Sequence, residues 1–213
     1  MREFLKFVFT PAGSADASLA IAASRAGSVG IYNAELEAES LRTVAMLDRL
    51  ATHARGSFGV KLDTIDAVLA AGLRATPGLG WLIVDAELVA SHGELLAELR
   101  STGTRVLAEV CTARPLDAAT ASSIDGILIK GNEAGGFVGE DASFILVQKW
   151  LGRLPLPMYL RGGLTPHVAA ACAAVGLAGG VLDSQLLLLD EVRLPESLRT
   201  LIGNLAGSET VAV

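Results

Sequence analysis

The stretch Ile127-Leu128-Ile129-Lys130-Gly131-Asn132-Glu133-Ala134-Gly135-Gly136-Phe137-Val138-Gly139-Glu140 decides how the chain is read. It opens as a short apolar strand ending in Lys130. It then breaks into a loop that carries Glu133 among Gly131, Gly135, Gly136 and Gly139. Glycines let a backbone turn sharply and lie against a flat or anionic ligand with no Cβ in the way. Loops also use glycine merely to turn. The flanking sequence has to separate the two readings.

Outward from this stretch the chain alternates regularly. Apolar strand patterns are expected at 5–9, 28–33, 58–62, 81–85, 105–110, 126–130, 157–161 and 179–183. Between them, helical patterns are expected from a cap at Ser14 or Asp16 to 25, then at 35–53, 65–73, 93–100, 116–121, 142–151 and 166–175. A last helix is expected at 195–204, after a leucine run. Strict strand–helix alternation with buried strands predicts a parallel sheet, and eight units close a barrel. The fold expected for residues 1–213 is therefore one minimal (β/α)₈ TIM barrel, near the lower limit of about 200 residues for that architecture. An open doubly wound sheet is the alternative. The glycine fingerprint that such a sheet carries after its first strand is missing.

Composition fits an α/β core. Hydrophobic residues make up 51% of the 213 residues and aromatics only 5%, so Ala, Leu, Val and Gly must fill the interior. A net charge of -6, with no basic cluster, argues against nucleic acid as a partner. No uninterrupted apolar run approaches the roughly 18 residues of a membrane span. The N-terminus enters a strand pattern without a signal peptide, so a cytoplasmic location is expected. Cys111 and Cys172 lack CxxC spacing and read as small core residues.

In barrels of this kind function sits at the C-terminal strand ends. Here those ends carry Thr10, Asn33, Lys61, Asp63, Asp85, Glu109, Lys130, Arg161 and Asp183. They make either a polar ligand pocket or a ring of mutually paired ions. Two later segments suggest a phosphate site. Arg161-Gly162-Gly163-Leu164-Thr165-Pro166 leads into a helix whose cap and first-turn proline are Thr165 and Pro166. Gly179-Gly180 opens the last strand, which ends at Asp183-Ser184-Gln185. Backbone N–H groups of such loops, with a helix N-terminus, commonly hold phosphate, and Ser184 adds a hydroxyl donor. Asp183 would repel the phosphate unless it points away. His53 and His92 read as solvated, and His167 as either a surface residue or a ligand contact. No metal-ligand spacing or nucleophile elbow is present. Trp81 and Trp150 are expected to pack helices onto strands.

Lys130-Gly131-Asn132-Glu133-Ala134-Gly135-Gly136, the Arg161-Gly162-Gly163 loop and the Gly179-Gly180 strand together resemble the nitronate monooxygenase (2-nitropropane dioxygenase-like) superfamily. That superfamily includes the flavin-dependent enoyl-acyl-carrier-protein reductases, and its members are FMN-binding TIM barrels. The resemblance implies that Gly162, Gly163, Gly179 and Gly180, with Ser184, hold the FMN phosphate. It puts Lys130, Gly131, Glu133, Gly135 and Gly136 near the isoalloxazine. The position after the EAGG motif, usually His, is Phe137, which neither takes nor gives a proton. The catalytic residue is therefore left unassigned. Asp183-Ser184 also replaces the family's Gly-Thr.

Val181 to Gln185 and the tail at 207–210 are most similar to barrel domains within large polyketide or fatty-acid synthases. The resemblance thus implies a small-molecule or acyl substrate, other synthase domains as partners, and a chain cut from a longer one. The residues support two functional expectations, a flavin-dependent oxidoreductase or a non-catalytic structural or docking barrel that has lost flavin. A third is a phosphate-ligand isomerase or aldolase using Lys130 or Asp85.

Overall fold

The computed structural model describes residues 3–206. The tail at 207–210 that contributes to the synthase resemblance lies outside them. In chain order the elements are β1 (Leu5–Phe9), α1 (Ser18–Arg25), β2 (Val29–Asn33), α2 (Ser40–His53), β3 (Phe58–Lys61) and α3 (Ala67–Ala75). They continue with β4 (Trp81–Asp85), α4 (Ala86–Ser91), α5 (Gly93–Ser101), β5 (Arg105–Val110), α6 (Ala118–Ser122) and β6 (Gly126–Lys130). The last are α7 (Ser143–Trp150), β7 (Met158–Arg161), α8 (Pro166–Ala174), β8 (Gly179–Leu182), a 3₁₀ turn (Ser184–Leu186) and α9 (Glu196–Gly203). The strands close in sequence order into an eight-stranded parallel barrel, with Leu5 of β1 opposite Gly179 of β8. The fold is a (β/α)₈ TIM barrel, as the alternation predicts.

Successive strand residues point alternately inward and outward, so both faces must be apolar for the barrel to be buried on both sides. Inward-facing Phe7, Phe9, Ile31, Ile83, Leu107, Leu128 and Val181 fill the interior. Its lower part is an aromatic plug. Phe7 meets Trp81 edge-on at 4.9 Å and Tyr159 at 5.2 Å. Trp81 therefore fills the barrel and does not pack a helix onto a strand. Its β3 neighbour is Gly59, where an added Cβ would fall 2.6 Å from the Trp81 Cβ, so the absence of a side chain there lets Trp81 sit against β3. Trp150 does pack between helix and sheet, within the outer layer that includes Leu47, Leu73, Leu96 and Leu146.

Two further departures from the sequence pattern have local causes. The helix expected at 35–53 starts at Ser40, because residues 34–36 are held by the strand ends as described below. The extra helix α4 exists because the Asp85 carboxylate accepts from Leu88 N at 2.8 Å and so caps it. That bond also gives Asp85 a structural task. No helix among the described residues is long and apolar enough to cross a membrane.

Gly30 on β2 lies directly under α1, where an added Cβ would fall 2.7 Å from the Ala20 carbonyl carbon. At Gly93, the first residue of α5, nothing lies within 4 Å of that position. Gly30→Ala should therefore destabilise by about 1–3 kcal/mol through overpacking against backbone. Gly93→Ala should instead be neutral or stabilise by up to roughly 1 kcal/mol through helix propensity. Denaturant unfolding of both variants checks this pair, whose effects have opposite signs.

Candidate functional site

At the C-terminal mouth the inward positions switch from apolar to charged. Lys61, Lys130 and Arg161 end β3, β6 and β7, Glu109 is the last residue but one of β5, and all four face the axis, buried. Glu35, from the loop after β2, joins them and is 1% exposed. Lys130 Nζ donates to Glu35 Oε1 at 2.9 Å and lies 3.5 Å from Glu109 Oε2. Arg161 Nη1 donates to Glu109 Oε1 at 2.9 Å and to Glu35 Oε2 at 3.4 Å, while its Nε donates to Asp183 Oδ2 at 3.3 Å. Lys61 Nζ is 3.5 Å from Glu109 Oε2. Lys61, Lys130 and Arg161 thus balance Glu35, Glu109 and Asp183. Burying charges is tolerable only with such pairing.

Glu35 reaches the axis because short polar side chains pin its backbone. Thr10 Oγ1 accepts from Asn33 N at 2.9 Å, Asn33 Oδ1 from Glu35 N at 3.2 Å, and Asp63 Oδ2 from Leu36 N at 3.1 Å. Leu36 pays for the turn with a left-handed φ of 71°. Sequence periodicity places Glu35 in a helix and misses this role. The available signal was Asn33 two residues earlier, at a strand end and apt for local capping. Burial is the strongest single influence on the Glu35 carboxyl and pushes its pKa up. Lys61, Lys130 and Arg161, with the Lys130 hydrogen bond, outweigh it and hold the pKa below the ordinary value of 4.5.

The glycine-rich loop folds over this network. Gly136 has a φ of 81°, and an added Cβ there would strike the Glu35 carboxylate. Phe137 N donates to Glu35 Oε1 at 3.0 Å, and the Phe137 ring is 72% exposed. Glu133 turns back instead of pointing outward. Its carboxylate accepts from Ser143 N at 3.0 Å and from Ser143 Oγ, at the start of α7. The Glu133 stem lies across the β7 loop, where a Cβ on Gly162 would fall 3.0 Å from its Cγ.

The residues assigned to phosphate divide accordingly. Gly162 and Gly163 do adopt positive φ (122° and 59°) beside α8, which Thr165 caps through Val168 N at 3.2 Å with Pro166 in its first turn. Ser184 N is already taken by Asp183 Oδ1 at 2.8 Å, and Asp183 N by Gln185 Oε1 at 3.0 Å. Gly179 starts β8 at the far end of the barrel, against Tyr159, and Gly180 packs on Leu164. Those two are removed from the mouth, because the four-residue strand carries Gly179 roughly 10 Å and Gly180 roughly 7 Å below its C-terminal end. Asp183 thus takes the Ser184 N–H, and Glu133, which takes the Ser143 N–H, lies across the glycine pair. The Gly162–Gly163 turn keeps a geometry suited to an FMN phosphate, but as arranged Glu133 would have to move and Ser184 N is occupied.

Open space at the mouth lies instead over β3, β4 and β5. A cavity of about 880 Å³ there has Lys61 and Glu109 among its lining residues, with Val110, Cys111, Leu116 and Phe137. Cys111 belongs to this cavity and not to the core. Its Sγ donates to Phe137 O at 3.6 Å, and burial, then Glu109, pushes the thiol pKa up. Cys172 is buried as expected. His53 and His167 are exposed. His92 is half-buried, its ring nitrogens each 3.2 Å from the Leu88 and Ile65 carbonyls, so it ties α4 to the β3–α3 loop.

Comparison with known proteins gives the following. No family model matches the chain. A (3aS,4S,5R,7aS)-5-hydroxy-7a-methyl-1-oxo-octahydro-1H-indene-4-carboxyl-CoA dehydrogenase of Rhodococcus jostii is 28% identical over 112 residues, which is 52% of this chain and 32% of that protein. The enzyme of the same name from Mycobacterium tuberculosis is 24% identical over 190 residues, 87% of this chain and 53% of that protein. The chain thus spans about half or less of the length of these curated relatives. Among solved structures, FabK from Thermotoga maritima superposes with a TM-score of 0.76 at 20% identity, covering 93% of this chain and 64% of FabK. Nitroalkane oxidase from Streptomyces ansochromogenes gives 0.75 at 19%, covering 92% and 70%. A chain of the Pyrococcus furiosus tryptophan synthase complex gives 0.62 at 10%, covering 95% and 98%. At these identities the structural likeness establishes the barrel fold.

The charge ring makes two checks possible. Removing one partner of a buried pair leaves the other uncompensated, so Glu35→Gln and Lys130→Met should each cost about 3–5 kcal/mol. The double variant should recover part of that loss in a double-mutant cycle. A depressed folded-state pKa means that Glu35 contributes full stability above its unfolded value, near 4.5, and loses it as pH falls through the lower folded value. Unfolding midpoints measured below that pH should fall less steeply in Glu35→Gln than in the unmodified protein.

Proposed function

We propose that this chain is a barrel of the flavin-dependent oxidoreductase type, related to nitronate monooxygenases and enoyl reductases, that works as a non-catalytic structural domain beside polyketide or fatty-acid synthesis. The observation that carries the reading is the closed mouth. Glu35, Lys130, Arg161 and Glu109 neutralise one another in a buried cluster, and the glycine-rich loop is hydrogen-bonded down onto Glu35. Glu133 and Asp183 stand as fixed negative charges on the β6–β8 side. Phe137 supplies no proton-transfer group at the loop tip. The synthase setting, in the cytoplasm with other synthase domains as partners, rests on the sequence resemblance. The two curated relatives are named as dehydrogenases, which supports the oxidoreductase descent.

A second reading, an active FMN-dependent oxidoreductase acting on an acyl substrate, is favoured by one feature. The paired positive-φ glycines 162 and 163 lie directly before the capped N-terminus of α8, a turn of the kind that receives phosphate. When bound, FMN would supply hydride transfer. That reading requires Glu133 to leave the glycine pair.

Purified protein should be colourless, release no flavin on denaturation and show no thermal shift with added FMN. A yellow protein that releases FMN would overturn the non-catalytic reading and establish the second. In that case Gly163→Asp should abolish the colour by repelling the phosphate.

A further inference from the structure

Away from the mouth, exposed leucines gather on the segment that follows β8. Along α9, Leu198, Leu201 and Ile202 recur at helical spacing, and Leu205 continues them in the next turn, where its N–H donates to Ile202 O at 3.1 Å. The four lie on one stripe, with Ser197, Thr200 and Asn204 on the opposite face. No residue of α9 is buried, and Leu198, Leu201 and Leu205 are 40%, 59% and 41% exposed. Arg199 ties the helix to the leucine run before it, donating to Leu188 O at 2.8 Å, Val192 O at 3.0 Å and Leu189 O at 3.4 Å. Leu188 and Leu189, which this brings alongside, are themselves 46% and 43% exposed.

Three observations identify what covers this face. A patch of half-exposed leucines of this kind amounts to a few hundred Å², the size at which exposed apolar surface marks an interaction site. Two such patches laid together approach the apolar share of a standard interface, which buries about 800 Å² per partner, somewhat over half of it apolar. A lipid surface does not fit, because the polar face of α9 carries no cation and the chain has a net charge of -6. The spacing of the stripe is symmetric about its midpoint, so reversing it sets 198 against 205 and 201 against 202. A two-fold contact demands that self-complementarity, since each copy meets its own image. Charge sets the direction. Asp190, Glu191 and Glu196 all precede the stripe, so an antiparallel pair sends the two acidic sets to opposite ends, where a parallel pair would face them.

We infer that α9 and the leucine run form an interface with a second copy of this chain, in which two α9 helices pair antiparallel about a two-fold axis between Leu201 and Ile202. The face lies outside the mouth, so a flavin found or not found there leaves the inference standing.

Sedimentation of the whole chain over a concentration series tests it and should show a monomer–dimer equilibrium. Leu201→Glu, at the centre of the stripe, should weaken the dimer roughly 100-fold or more by burying an unpaired charge, with unchanged far-UV circular dichroism because the position is exposed. Adding Ile202→Lys to Leu201→Glu should restore roughly tenfold of that loss, because the antiparallel two-fold sets position 201 of one copy against position 202 of the other. Thr200→Glu, on the opposite face, should leave the dimer unchanged. A chain that stays monomeric up to about 100 µM would overturn the inference, as would assembly into trimers or larger species. So would a dimer that Leu201→Glu leaves intact, one that Thr200→Glu breaks equally, or a paired variant no tighter than Leu201→Glu alone.

Discussion

The contact on which the rest of the mouth depends is the buried pair of Glu35 and Lys130. Neither charge survives burial alone, and each then recruits others. Lys130 draws in Glu109 at 3.5 Å, and Arg161 bridges Glu109, Glu35 and Asp183. The loops obey the same demand. Asn33 and Asp63 spend their side chains on aiming Glu35, and the glycine at 136 exists where a side chain would collide with that carboxylate. A sequence feature that looks like accommodation of a ligand is, in this arrangement, accommodation of an internal carboxylate.

The same logic separates two halves of the mouth. Over β6–β8 Arg161 and the Ser184 N–H are held by Asp183, and Glu133 takes the Ser143 N–H. Over β3–β5 the space stays open, with Lys61 and Glu109 among the residues that line it. The fold is shared with FabK and nitroalkane oxidase, but a fold positions strand ends without dictating which of them receives a ligand. Here the side chains leave the open space of the mouth on the side away from the glycine loops.

The barrel itself was legible in the sequence because both faces of its strands are buried, which makes them short apolar runs at even spacing. The charged strand ends were legible for a related reason, since Lys61, Glu109, Lys130 and Arg161 each follow such a run. Their mutual pairing was one of two open alternatives, and deciding it required Glu35. That residue was hidden because 35–39 continue the helical pattern of α2, while the forces that unwind them come from Asn33 and the distant Asp63. Gly179 and Gly180 were misplaced for a different reason. The sequence already has the pair opening the last strand, and only the resemblance gave it a role at the mouth; the register with β1 and β7 confirms Gly179 at the lower end, beside Tyr159. Trp81 was misread because the vacancy that admits it belongs to Gly59 on another strand.

The charge ring also bears on how the chain folds. Glu35 and Lys130 are 95 residues apart, and Glu35 and Arg161 are 126 apart. Lys61 can meet Glu35 and Glu109 within the arc β2–β5, but the hydrogen-bonded partners of Glu35 come only with β6 and β7. The loops that bring them together close over long sequence separations, which favours contacts that complete the circle late.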